Sequence, residues 1–393
     1  MLNQGAYLRW HKSSYRELQR IEEGTMTILI NRRHFIQATT SAFAAGTLSS
    51  VAGNALAQPP KELRVIVGGG DYGTAVVNAF VKPFEAETGV KVTSITDQTD
   101  LAQLELMVTS NSVSIDVATL GYGEALAAGA RGRLEEIDYS IYKKEELDGI
   151  AEFARDPHSV GALMYAYVLA YNIKKYPADK QAPQSWADFW DVEEFPGTRT
   201  LVSGQYGDGG PWEEALLANG VAADAIYPIN IDQVFASLNK IKPHIRKWWG
   251  TGSEIQQMMH DGTVDLAQTF DGRANLLIDL GAPIAINWNQ AKAVLDSWVI
   301  PKGSPNLEHA QRFIEFATRS DRQAAFAQLI PYGPTNLNAF KRIPENIGRK
   351  LASHPDNLAK SVRTDYRWYA EVGTDGLSNI ERLVQRWNAW ILE

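Results

Sequence analysis

The chain has 393 residues, 45% of them hydrophobic, and a formal net charge of −8, so it is long enough to bury a large core and to form two domains. The acidic balance disfavours nucleic acid as a partner, and no stretch approaches the ~18 apolar residues of a membrane-spanning helix. With no cysteine there is no disulfide framework, no thiol nucleophile and no thiolate metal site.

Asn31-Arg32-Arg33-His34-Phe35-Ile36 places paired arginines before a mildly apolar, Ala/Thr/Ser-rich stretch from Ala38 to Val51. Ala55-Leu56-Ala57 then supplies a small-x-small cleavage site. This is the pattern of a twin-arginine export signal. Asn31 stands where Ser or Thr is usual and Gln37 where Lys is common, so the general secretory route also fits. Met26 would bring the arginine pair next to a start codon, whereas residues 1–25 fit no signal peptide. The product beyond Ala57 carries 32 Lys/Arg and 43 Asp/Glu, a net charge of −11, and is expected outside the cytoplasm. Its basic residues fall singly or in pairs among acids, as at Arg131, Arg133, Glu135 and Glu136, which reads as solvated faces.

Leu63 to Val67 is a β-rich run followed by Gly68-Gly69-Gly70-Asp71-Tyr72-Gly73, an amphipathic helix from Ala75 to Glu87 stopping at Gly89, and a second strand from Val90 to Ile95. Gly68, Gly70 and Gly73 satisfy the dinucleotide fingerprint, with Asp97 as a ribose acid, so an exported nicotinamide- or flavin-dependent oxidoreductase is the enzyme alternative. Tyr72 argues against it, because a bulky ring in that turn crowds the path of a diphosphate and suits a cleft wall. The same grammar recurs downstream: helix Asp100 to Ser110, strand Ile115 to Leu120, a Gly-flanked Tyr122, and helix Glu124 to Gly129. Tyr72 and Tyr122 are therefore expected at the strand-end side of one parallel sheet. Val160 to Asn172 is an unbroken apolar strand, read as the first crossing between domains. Ser185 caps a short helix Trp186 to Asp191, and Thr200 to Ser203 leads into the glycine-rich Gly204 to Gly210. Ile231 to Ile241 is helical, and Ser253-Glu254-Ile255-Gln256 reads as a capping box for a helix through His260.

Residues 265–303 organise the rest. Val264 to Thr269, Pro283 to Trp288 and Ser297 to Pro301 have strand length, and Ala274 to Leu280 has helical spacing. In open α/β sheets the ligand sits beyond strand ends, which would gather Phe270, Asp271, Arg273, Trp288 and Asp296 around one crevice. Arg273 falls in the first helical turn, where the backbone dipole disfavours a cation unless an anion is near. Helices Asn306 to Thr318 and Asp321 to Leu329 follow, then the turn Pro331 to Asn336 with Tyr332. A helix from Leu377 to Ile391 closes the chain, with Trp387 read as core. Nothing matches a zinc-peptidase, nucleophile-elbow, P-loop or calcium-loop motif, so neither cofactor nor metal is expected and the chain reads as a binder.

The segments KPFEAETGVKV, LMYAYVLAYN, SWADFWD, DGTVDLAQTFDGRA, DSWVIPKGSPNLEHAQRFIEFATRSDRQAAFAQ and PYGPTN, with the export signal, resemble the periplasmic substrate-binding proteins of ABC importers, spermidine/putrescine type. The resemblance implies a type II periplasmic-binding-protein fold of two α/β lobes around a ligand cleft. Lobe one would be 62–168 plus 297–340, lobe two 172–294 plus 341–393, and residues 1–57 an extension and signal. It also implies a monomer that delivers a small amine-bearing solute to a permease and its ATPase. Carried over, Tyr72 and Tyr122 match the family's cleft tyrosines, Asp296 its amine-holding acid, and Tyr332 lies in the matching turn. The family's aromatic two residues before that acid is Val294 here, its cleft Trp is Phe270, and a second acid is replaced within Gly207 to Gly210. A diamine would lose one anchor. If Arg273 points into the cleft, the ligand is an amino acid such as γ-aminobutyrate; if it pairs with Asp271, a polyamine remains open. Intact-mass analysis of the exported protein is expected to give Gln58 as the first residue, and a different mature terminus would refute the assigned cleavage site.

Overall fold

The computed structural model describes residues 62–97 and 100–393. The export signal expected over residues 31–57 lies outside the described residues. The strands, in chain order, are β1 (Leu63–Ile66), β2 (Val92–Ile95), β3 (Ala118–Gly121), β4 (Arg155–Asp156), β5 (Ser159–Asn172), β6 (Arg199–Val202), β7 (Ile245–Trp249), β8 (Leu266–Phe270), β9 (Ile284–Val299) and β10 (Val362–Arg363). Five helices bear on the cleft described below: α1 (Gly70–Val76), α2 (Tyr122–Ala130), α3 (Gly252–His260), α4 (Asp271–Asp279) and α5 (Tyr366–Ala370).

β1 and β2 pair in parallel, and Val65 bridges Val117 just before β3. The larger sheet has the order β10-β9-β5-β8-β6-β7, with β3 on β9 and β4 on β5. It corrects the sequence reading twice. Pro283 to Trp288 and Ser297 to Pro301 are not separate strands; most of both belongs to the 16-residue β9, because Asn289 and Gln290 interrupt the apolar pattern without ending the pairing. Gln290 has φ 63 and still satisfies its backbone: its N–H donates to the Lys360 carbonyl (2.9 Å) and its carbonyl accepts from Trp186 Nε1 (2.9 Å). Nor is the sheet parallel throughout: Tyr72 and Tyr122 do follow neighbouring segments that run parallel, joined at the Val65–Val117 bridge, but the strands beyond them do not. β3 runs antiparallel to β9, and so does β5, because the chain crosses and returns through these two long strands.

Buried side chains form two main cores. Val65, Phe80, Phe84, Met164, Trp298 and Phe313 belong to one; Leu169, Trp186, Trp212, Leu238, Leu266 and Trp387 belong to the other. β5 leaves the first core at Met164 and enters the second at Leu169. The result is the two-lobe α/β arrangement of a type II periplasmic-binding-protein fold.

Local signals set most helix ends. Asp100 accepts from the Gln103 N–H (2.8 Å), Ser185 from the Asp188 N–H (3.1 Å), and Gly89 stops the first long helix with φ 71. Ser378 and Glu381 form a capping box on the helix Asn379–Trp390, which buries Leu383, Trp387 and Trp390. One cap is displaced from its expected place. Thr251, not Ser253, accepts from the Glu254 N–H (3.1 Å), and the Glu254 carboxylate accepts from the Gly250 N–H (2.8 Å). That shift leaves the Gln256 side chain available to another partner.

β9 also carries a fully buried lysine. Lys292 Nζ lies 3.0 Å from Glu213 Oε2 and 3.2 Å from Glu214 Oε2, and all three side chains are buried. Burial works against the ammonium, but the two carboxylates outweigh it and hold the Lys292 pKa above its usual range. Tyr227 and Tyr369 donate to Glu213, and Gln268 Nε2 to Glu214 (2.7 Å), so the cluster is closed by neutral donors. Lys292→Ala strands two buried carboxylates and is expected to destabilise the protein by about 3–5 kcal/mol, read as an earlier urea midpoint. A midpoint like that of the unmodified chain would contradict the assignment of this cluster as a stabilising ion pair.

Candidate functional site

The floor of the cleft follows from the register of β9. Asp296 faces Gly121 on one neighbour and Leu163 on the other, and alternation along the strand sends Leu295 into the first core and Asp296 away from it. Around it opens a cavity of about 720 Å³. One set of lining residues comes from the turn into α1 and from its outer face: Gly69, Gly70, Asp71, Tyr72, Thr74 and Asn78. A second comes from Gly252 at the start of α3 and from Phe270, Asp271, Arg273 and Leu276 at the start of α4. Tyr165 on β5, and Pro331 and Tyr332 in the turn after the helix Ser320–Leu329, complete it.

Six residues singled out from the sequence line this cavity: Tyr72, Phe270, Asp271, Arg273, Asp296 and Tyr332. The aromatic members touch edge to face. Tyr72 and Tyr332 have ring centroids 5.9 Å apart at 88°, and Tyr165 stands 5.6 Å from Phe270 at 68° and 6.3 Å from Tyr332 at 80°. Tyr165 was not singled out; the alternation of Tyr165 and Tyr167 within the crossing strand was its one trace in the sequence. Tyr122 and Trp288 do not line the cavity. Tyr122 packs against Tyr366 of α5 (5.3 Å, 78°), and Trp288 packs beside Ala166, Val168, Ala291 and Ala352. Asn287 pairs with Leu169 and Asp296 with Leu163, six positions along β5 or about 20 Å, so the long β9 that replaced two short strands carries Trp288 away from Asp296.

The two acids of the cleft differ in their partners. Asp271 is buried, and its Oδ1 accepts from the Ala166 N–H (3.0 Å), while Oδ2 has no partner. Burial pushes its pKa up to about 7 against the pull of the N–H groups of Ala166 and Gly272. Asp296 is also pushed up to about 7, by burial first and then by the Glu124 and Asp208 carboxylates. No hydrogen bond or ion pair from a described residue offsets this. Arg273 does not pair with Asp271. It donates from Nη1 to Gln256 Oε1 (2.9 Å), the group freed by the displaced cap, and its Nε passes close to Gly252, where a Cβ would lie in ordinary contact at 3.4 Å. The cleft thus combines an unpartnered carboxyl, an aromatic box and one guanidinium. Such a set can hold an ammonium by charge and cation–π contact, and a carboxylate by a forked hydrogen bond.

The fingerprint glycines have a local explanation. Gly68 has φ 73, and a Cβ on it would lie 3.0 Å from the Tyr72 ring. A Cβ on Gly73 would strike the Gly68 carbonyl. They make room for Tyr72 and the start of α1.

Comparison with known proteins then places the chain. The family model for bacterial extracellular solute-binding proteins matches residues 79–350. The chain belongs to this family. Among curated relatives of this solute-binding protein, the γ-aminobutyric acid-binding protein of Pseudomonas aeruginosa is 32% identical over 84% of the chain and 91% of the relative. The spermidine/putrescine-binding periplasmic protein of Escherichia coli is 24% identical over 75% of the chain and 83% of the relative. An ABC transporter substrate-binding protein from Bradyrhizobium japonicum, of solved structure, is 33% identical with a TM-score of 0.75, covering 84% of this chain and 99% of that one.

Asp271 and Asp296 titrate near 7 in the folded chain and near the ordinary ~4 in the unfolded one. Between these values the native state keeps protons that the unfolded state releases, so their contribution to stability is complete below about pH 4 and lost as pH rises through about 7. The ligand-free solute-binding protein is expected to melt higher at about pH 6 than at about pH 8 in scanning calorimetry, with a smaller difference in Asp296→Asn. An equal difference in that variant would mean that Asp296 does not titrate in this range.

Proposed function

We propose that this solute-binding protein is the substrate-binding component of an ABC importer and that its ligand is an ω-amino acid such as γ-aminobutyrate, or a similar zwitterion. The observation that carries the reading is the position of Arg273, tied to Gln256 rather than to Asp271, with its guanidinium on the cleft that Asp296 floors. Asp296 takes the ammonium, Tyr72, Tyr165, Phe270 and Tyr332 enclose it, and Arg273 takes the carboxylate and repels a second ammonium. The likeness to a relative that binds γ-aminobutyrate supports this.

The protein works as a monomer in the periplasm. Its lobes, taken as residues 62–168 plus 297–340 and 172–294 plus 341–393, close on the ligand about the crossing strands, and a permease with its ATPase receives the closed form. Nothing in this role needs a cofactor or turnover. A polyamine is the second reading, favoured by the negative charge that Glu124 and Asp208 add around Asp296 and by the polyamine-binding relatives.

A thermal-shift screen separates the two. Ligand at ~100 times its dissociation constant adds ~2.7 kcal/mol of stability, a shift of a few degrees. γ-Aminobutyrate is expected to raise the melting temperature and putrescine to leave it unchanged. Arg273→Ala abolishes the shift, as does Asp296→Ala. Stabilisation by putrescine or spermidine alone would replace the amino-acid reading with the polyamine one.

A further inference from the structure

We propose that Asp208 is a positioning residue for the amine end of the cleft: the loop Gly204–Gly210, clamped by Lys292, holds its carboxylate against the first turn of α2, behind Asp296. This rests on the reading that Asp296 receives an ammonium. The loop is the glycine-rich stretch that stood out in the sequence, and the buried lysine is a charge that ligand binding does not otherwise use.

Lys292 Nζ donates to the Gly210 carbonyl (2.5 Å) and the Gly209 carbonyl (3.4 Å) while it holds Glu213 and Glu214. A side chain on Gly210 would collide with the Trp212 indole, and Gly207 has φ 61 with a Cβ position 2.8 Å from Ile380. The loop is therefore held in one conformation from both sides. What it presents is Asp208. A Cβ on Gly123, in the first turn of α2, would lie 2.9 Å from Asp208 Oδ2 and 3.1 Å from the Tyr366 ring. Tyr366 packs on Tyr122, and its hydroxyl accepts from the N–H of Leu295, the residue before Asp296 (3.3 Å).

Asp208 does not line the cavity, so it acts through its neighbours. The charged groups around it are Lys292, Glu124, Glu213 and Asp296, with the hydroxyls of Tyr165, Tyr167, Tyr366 and Tyr369; burial, Glu124 and Glu213 push its pKa up to about 6 against the pull of Lys292. Asp208 and Glu124 are in turn the charges that disfavour ionisation of Asp296. An arriving ammonium relieves that repulsion. Asp208 thereby raises the affinity for a cation where Asp296 is ionised, and moves the pH at which binding sets in upward.

The test is isothermal titration calorimetry of γ-aminobutyrate, and of putrescine, from about pH 5.5 to about pH 8.5, on the full exported chain and on Asp208→Asn. The variant is expected to bind about three- to tenfold more weakly at the alkaline end, with the midpoint of its affinity profile moved to lower pH. Loss of affinity with an unmoved midpoint is a merely structural effect and overturns the proposal. Amide hydrogen exchange of the ligand-free protein gives a readout that needs no ligand. Asp208→Asn, and Gly123→Ala, which inserts a methyl while keeping every charge, are both expected to speed exchange over residues 122–125. If the unmodified chain binds neither compound, the ligand reading fails by itself, and unchanged exchange in both variants then overturns the contact.

Discussion

The antiparallel pairing of β5 with β9 is the constraint on which the rest depends. Their register sets Asp296 beside Leu163 and Gly121, with the first core on one side of the strand and the cleft on the other. Period two puts Lys292, Val294 and Asp296 on the same face of β9. One strand thus carries the ammonium that clamps the glycine loop and, four residues on, the carboxyl at the cleft floor. The pair also joins the two cores, and its register shifts between Tyr167 and Leu169, where β5 passes from one core to the other.

Burial raises the pKa of both cleft acids, yet their surroundings give them different work. Asp271 spends Oδ1 on the Ala166 N–H, a backbone group of β5 that no strand partner meets at that point, and so ties the start of α4 to the crossing strand. Asp296 has no such donor among the described residues, and its carboxyl is left facing the cavity. Arg273 sits in the first turn of α4, where the helix dipole disfavours it, and Gln256 gives it a neutral partner. A neutral partner fixes the guanidinium without cancelling its charge, and charge is what a carboxylate would recognise.

Glycine patterns show how little a motif says without its surroundings. Gly68, Gly70 and Gly73 have the spacing of a dinucleotide site, yet the room at Gly68 and Gly73 is taken by Tyr72 and the chain turning into α1, and Gly70 serves a left-handed backbone position with φ 63. Gly207 to Gly210 is glycine-rich, yet Trp212 and Ile380 pack against it and Lys292 donates to its Gly210 carbonyl. In both places the absence of side chains serves close packing.

The sequence by itself determined the α/β class, the main helices with the cap at Ser185 and the stop at Gly89, the crossing strand at Val160–Asn172, and six of the residues on the cleft. Those signals are local: they depend on spacing, on capping side chains and on apolar runs that need no distant partner. The continuity of β9 was hidden because Asn289 and Gln290 look like a turn; pairing with β5 resumes on both sides of them, and the Gln290 backbone is met by the Lys360 carbonyl and the Trp186 Nε1, 70 and 104 positions away in sequence. Tertiary structure alone decided that Trp288 leaves the cleft, that Tyr165 enters it and that Arg273 takes Gln256 instead of Asp271. It alone brought Asp208 to Gly123, 85 positions earlier in the chain. The physical reason is common to all four: strand register and the meeting of two separately packed cores choose which side chains share a space, and neither is written in any one stretch of sequence.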